Sequence, residues 1–152
     1  MSDELNERRE VHMPPATPAD VLARRCRLTL NGDADGLADL FAPDAVIEVP
    51  FAGPPGRPAR LEGRESIRAN ARQVIASPLR LENYEVAELH QTQDPEVVIA
   101  EIRAEGTVTT TGLPFAVTSV QILWIRAGRI VLFRDFADPR VQPDVTGEAR
   151  AG

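Results

Sequence analysis

Residues Arg25 to Pro50, RCRLTLNGDADGLADLFAPDAVIEVP, pass from helical to alternating hydrophobicity, and that passage decides the fold class. At and before its start, Val21, Leu22, Cys26, Leu28 and Leu30 recur at threes and fours, the spacing of one helix face. Asp20 sits early in this helix, where the dipole favours an acid. Asn31-Gly32-Asp33 stops it, because Gly and Asn tolerate the left-handed exit. A short second helix carries Leu37, Leu40 and Phe41 and ends before Pro43. From Ala45 to Pro50 the period is two: Ala45, Ile47 and Val49 share one strand face, Val46 and Glu48 the other.

Downstream, Phe51 to Gly63 (FAGPPGRPARLEG) is too rich in Pro and Gly for a regular element and reads as a long loop of the kind that covers a site. A third helix is expected from Arg64 to Ala76, ended by Pro78. Leu79–His90, Val97–Thr109, Phe115–Ile125 and Ile130–Phe136 are rich in β-branched residues and bounded by Asp94-Pro95, Gly112 and Ala127-Gly128 turn signals, so they read as strands. Helices followed by a run of strands indicate an α+β layout, with the last strands forming a meander. Residues 1–17 read as a loose polar arm, 18–139 as a single domain and 140–152 as a fraying tail.

Composition narrows the function classes. A chain of 152 residues with 43% hydrophobic residues is long enough for its own core without a metal or disulfide staple. A net charge of −6 with scattered arginines argues against nucleic acid as a partner. All 17 basic residues are arginine, which excludes a Schiff base on a protein lysine and a P-loop lysine. Cys26 stands alone, and His12 and His90 form no cluster with metal-ligand spacing, so no metal is expected. The charged start is no signal peptide, and no apolar run approaches the ~20 residues of a membrane span. These readings together predict a soluble cytoplasmic protein.

The Arg25–Pro50 run followed by LEGRESI, Leu61 to Ile67, resembles the nuclear-transport-factor-2-like superfamily, which includes ketosteroid isomerases and SnoaL-type cyclases. The second half, with TQDPEVVIAEIRAEGTV and AGRIVLFRDFADP, is similar to the phenazine-biosynthesis A/B branch. The resemblance implies a cone: N-terminal helices packed on a strongly curved antiparallel sheet that encloses a pocket. It also locates candidate residues. The proton-shuttling aspartate of the isomerases corresponds to Val49, which argues against steroid isomerisation, and their oxyanion tyrosine falls near Arg25 or Cys26. Their second oxyanion donor falls near Gln121, whose amide is still able to donate to a carbonyl. The phenazine-branch acid corresponds to Asp135, within Arg134-Asp135-Phe136, and its helix histidine to Asn70. Epoxide-hydrolase-like members suggest a further set from Glu101, Arg103 and Asp135.

Strand parity puts Phe133 and Asp135 on one face, which the resemblance makes the pocket side; Leu132, Arg134 and Phe136 take the other. An acid among apolar neighbours has its pKa raised by desolvation, which suits proton transfer near neutral pH. The expected set is therefore Asp135 and Gln121 for catalysis, Asn70 and Cys26 for binding, and Val49, Phe51 and Phe133 for apolar walls. The bland alternatives are an Asp135–arginine pair, a cross-strand bond for Gln121, a solvated Asn70 and His90, a structural Cys26, and surface ion pairs in the Glu101/Arg103/Glu105 row. Val120, Ile122 and Trp124 form an apolar outer row that predicts a homodimer. The reading is a cofactor-free enzyme acting on a hydrophobic small molecule, of isomerase, cyclase or dehydratase type, in bacterial secondary metabolism. A binding protein without chemistry is the alternative, and an epoxide hydrolase or a dimeric scaffold ranks behind both.

Overall fold

The structure is a computed structural model and describes residues 16–141 and residue 143. Its elements are helix α1 (Pro18–Leu30), helix α2 (Ala34–Asp39), strand β1 (Phe41–Val49), strand β2 (Ala59–Glu62), helix α3 (Arg64–Ala76), strands β3 (Leu79–Gln91), β4 (Val97–Val108), β5 (Pro114–Arg126) and β6 (Arg129–Phe136), and a closing 3-10 turn at Pro139–Val141. A capping box starts α1: the Thr17 hydroxyl accepts from Asp20 N–H, and the Asp20 carboxylate accepts from Thr17 N–H. Gly32 takes the left-handed conformation (φ 65°) just past the end of α1. No helix among the described residues is long and apolar enough to cross a membrane.

The strands form one sheet in the order β2-β1-β6-β5-β4-β3. Pairing is antiparallel except between β1 and β6, which run parallel, so the sheet is mixed. The four long strands and α3 lie where alternation and turn residues put them. Three details differ from the sequence-based expectation, the first being this parallel β1–β6 pair in a sheet expected to be wholly antiparallel. Phe41 opens β1 instead of ending α2, and Ala59–Glu62, inside the expected loop, is a strand. The reason is hydrogen bonding: the outer edge of β1 needs a partner, and β2 supplies it from Val46↔Glu62 to Val49↔Ala59. Bulges between Leu81 and Asn83, between Val86 and Glu88 and between Trp124 and Ile125 interrupt the registers. Such irregularities bend a strand and strengthen its twist, which suits the curl of the sheet. The inner side of the sheet carries the core, including Leu22, Leu123 and Ile130, all essentially without exposure. Of the expected terminal segments, residues 1–15, 142 and 144–152 lie outside the described residues.

Candidate active site

Period-2 alternation selects the inner residues of the sheet. Val98, Ala100, Ile102 and Ala104 of β4 are buried, and Gln121, Leu123 and Phe133 lie beside them on β5 and β6. Register then pairs Gln121 with Asp135 and Leu123 with Phe133 across the β5–β6 ladder. Helix α1 lies over this surface with Val21, Leu22 and Arg25 buried. Arg25 and Gln121 are the buried polar residues among those described, 9% and 3% exposed.

Arg25 Nη1 donates to Gln121 Oε1 at 2.6 Å. The guanidinium lies 4.5 Å from the Phe133 ring centroid and 5.7 Å from that of Tyr84, both within cation–π range. Gln121 Nε2 donates to Ser119 Oγ at 3.3 Å. Because its carbonyl is held by a cation, the Gln121 amide is polarised and its N–H groups are better donors. Asp135 Oδ1 is buried with no hydrogen-bond partner among the described residues. Burial pushes the Asp135 carboxyl above the usual aspartate range; the Arg25 charge and hydrogen bonding to Ser119 and Gln121 pull it back in part.

These groups line a cavity of about 270 Å³ whose other walls include Tyr84, Ile102, Ala104, Val117 and Val141. Asp138 is at this wall too, held ionised at about 2 by its hydrogen bonds and ion pair with Arg140. An apolar chamber of about 400 Å³ shares Val74, Tyr84, Ala104 and Val117 with the cavity; Leu30, Ile75, Leu79, Leu81 and Phe115 are among its walls. The Arg25, Gln121 and Asp135 side chains thus line a cavity that adjoins a largely apolar chamber.

The expected residues divide sharply. Asp135 and Gln121 line the cavity together, and Phe133 supports the Arg25 guanidinium. Asn70 is exposed and does not line the cavity, because α3 turns Ile67 to the core and Val74 to the pocket. Phe51 is 62% exposed and packs edge-on against Phe136 with centroids 5.7 Å apart, so neither it nor the loop after it covers this cavity. Val49 is engaged at the β1–β2 edge opposite Ala59 and is no cavity wall. Cys26 lies at the Val86 backbone; burial pushes its thiol up, and Arg25, one residue earlier, takes the pocket position. Reasoning from sequence leaves Arg25 and Cys26 as alternatives for one position and carries only Cys26 into the expected set; Tyr84, Ser119 and Asp138 are not in that set. The signal for Arg25 was its place at helical spacing from Val21, Leu22 and Leu28, where a charge is out of pattern.

The Glu101/Arg103/Glu105 row faces outward, since Ala100, Ile102 and Ala104 take the inner side. It forms surface pairs, Arg103 Nε–Glu105 at 2.5 Å and His90 Nε2–Glu101 at 2.8 Å. The epoxide-opening set built on it is therefore overturned. Glu88, His90 and Glu101 bring three donor atoms within 4.8 Å of one another on that outer side, a grouping hidden in the sequence spacing. It is the arrangement among the described residues with the side chains to hold a metal ion, and its exposed hydrogen-bonded form accounts for the His90 ring being more basic than usual, chiefly through Glu101.

The SnoaL-like domain pattern matches residues 23–133, most of the chain. The chain belongs to the SnoaL-like family. An uncharacterised PhzA/B-like protein of Pseudomonas aeruginosa is 37% identical over 132 residues, covering 87% of this chain and 92% of the relative. Among solved structures, a Bacillus subtilis protein given a provisional isomerase assignment superimposes with a TM-score of 0.73 at 30% identity, covering 81% of this chain and 87% of its own. A Catenulispora acidiphila protein with a ketosteroid-isomerase-like fold matches with a TM-score of 0.69 at 20% identity, covering 83% and 90%. The SnoaL-like chain thus has the nuclear-transport-factor-2-like fold, with its helices against one curved sheet.

Proposed function

We propose that this SnoaL-like protein is a cofactor-free acid–base enzyme of isomerase, cyclase or dehydratase type, acting on a hydrophobic small molecule, with Asp135 as the proton-carrying group. The observation that carries the reading is the Asp135 carboxyl: buried in a cavity, with one oxygen unpartnered among the described residues and its affinity for a proton raised. A carboxyl whose proton affinity is raised by burial is suited to exchanging a proton with a bound substrate. In an isomerisation it takes a proton from carbon next to a carbonyl and returns it at another position, with no net proton change. The polarised Gln121 amide donates to the oxygen on which charge develops. The provisional isomerase assignment of the Bacillus subtilis structure supports the same reaction class. A bacterial secondary-metabolic role, a cytoplasmic location and a homodimeric state belong to the same proposal.

The alternative is a binding protein without chemistry. It is favoured by one observation: the second carboxyl at the cavity, Asp138, is held ionised by Arg140 and is a poor proton acceptor, so Asp135 lacks a catalytic partner acid. Native mass spectrometry of purified wild type and Asp135→Asn separates the two. A co-purified small molecule that only the wild type converts establishes the enzyme. Retention by both proteins with conversion by neither leaves the binding protein.

A further inference from the structure

Arg25 presents a problem of charge. It is 9% exposed, and the partner that its guanidinium has is the neutral carbonyl of Gln121. No carboxylate among the described residues lies within ion-pair distance of it. Phe133 and Tyr84 stack beside the cation without neutralising it. Asp135, an acid of the same cavity lining, makes no ion pair with it; burial raises the proton affinity of that carboxyl, and the Arg25 charge offsets this only in part. Asp138 is already neutralised by Arg140. The Gln121 bond is the guanidinium's hydrogen bond among the described residues, and Arg25 is part of the cavity lining.

A buried cation without a counter-charge is costly to maintain, and a planar fork of donors fits a carboxylate. We infer that the ligand of this pocket is an apolar molecule bearing one carboxylate, which docks on Arg25 while its body fills the adjoining chamber walled by Leu30, Ile75, Leu79, Leu81 and Phe115. The unpartnered Asp135 oxygen belongs to the same lining, where a donor on the ligand beside its head group would satisfy it. The inference rests on the proposed function only in taking the occupant to be a small molecule; it holds for enzyme and binding protein alike.

The test is isothermal titration of the full-length protein with two matched pairs, 2-naphthoate against 2-naphthamide and decanoate against decanamide. The wild type is expected to bind each acid about tenfold or more tightly than its amide, the margin of a charge-assisted over a neutral hydrogen bond. Arg25→Gln is expected to bring each acid down to the level of its amide and to leave the amide within about threefold of its wild-type affinity. Amides that bind wild type as tightly as acids overturn the inference, without need of any variant. So does an acid preference that survives Arg25→Gln, and so does failure of all the probes to bind at millimolar concentration. The enzyme reading fails separately: an acid preference in a protein that converts nothing retains the carboxylate site and removes the catalyst, whereas amide preference with Asp135-dependent conversion does the reverse.

Discussion

Asp135 has a consequence for folding that is independent of any substrate. Its proton affinity is raised above the ordinary aspartate value of 3.8, first because burial disfavours the carboxylate. The sign follows from proton counting. As pH rises from the ordinary range, the unfolded chain gives up this proton while the folded chain keeps it, so the folded state binds more protons and stability falls with pH. The contribution is fully present below the unfolded value and is lost as pH rises through the folded one. Asn is nearly isosteric with a protonated Asp and cannot ionise. Asp135→Asn should therefore match wild type in urea midpoint at low pH and become increasingly more stable than it as pH rises. Urea titrations of both proteins across the acid-to-neutral range check this, and a gap that does not change with pH would contradict it. The family resemblance singled out this residue and its pocket side, and parity along Ile130–Phe136 set it on the face of Phe133; its setting beside the helix was not legible. Arg25 and Gln121 are 96 positions apart, and no local pattern announces a hydrogen bond across that separation.

Among the elements, β4 shows how one missing side chain shapes the pocket. Gly106 stands between Leu81 of β3 and Phe115 of β5 in the ladders. A Cβ added there would lie 2.1 Å from the Arg80 carbonyl oxygen and 2.8 Å from the Phe115 ring. The first contact is with backbone, which has no rotamer to escape into, and it falls beside the Leu81/Asn83 bulge. Gly106→Ala should destabilise the fold by roughly 1–3 kcal/mol through overpacking and displace Phe115 from the apolar chamber. Urea unfolding reads the first effect; a loss below about 0.5 kcal/mol would show that the strands separate freely there. The long strands were visible in the sequence because alternation and turn residues agree over their whole length. Strand β2 was hidden, since the Pro- and Gly-rich run before it masks four residues whose role is set by the edge they cover. Phe41 was assigned to a helix because Leu40-Phe41, an adjacent apolar pair, fits either period. The parallel β1–β6 pairing has no local signature at all. Asn70 was misplaced for a different reason: its position came from counting along a resemblance, and the rotation of α3 decides which side chains turn inward.

At the scale of the whole molecule, the proposed homodimer rests on the asymmetry between the two sheet faces. The helices lie on the inner side, where α1 packs on β3 and α3 on β1. The outer side carries Ile122, Trp124, Leu132 and Phe136, half-buried, and Val120 at 41% exposure, with Phe51 packed against Phe136 at one end. Arg134 lies over Trp124 at 4.9 Å and pairs with Glu48 at 3.1 Å, so the charges nearest this row are already matched within the chain. A face with an apolar centre and internally matched charges suits a twofold interface, in which each residue row meets its own equivalent without like-charge conflict. Each chain carries a net charge of −6, so long-range electrostatics oppose association and the apolar row must supply the attraction. Two outcomes follow from that balance. Light scattering coupled to size-exclusion chromatography should give twice the chain mass, and added salt should strengthen the dimer by screening the repulsion. Trp124→Asp should produce a folded monomer, because it places a charge at the centre of the contact while the buried side of β5 is untouched. A wild type that is monomeric at high salt would refute the dimer. A Trp124→Asp protein that remains dimeric would move the interface to another surface.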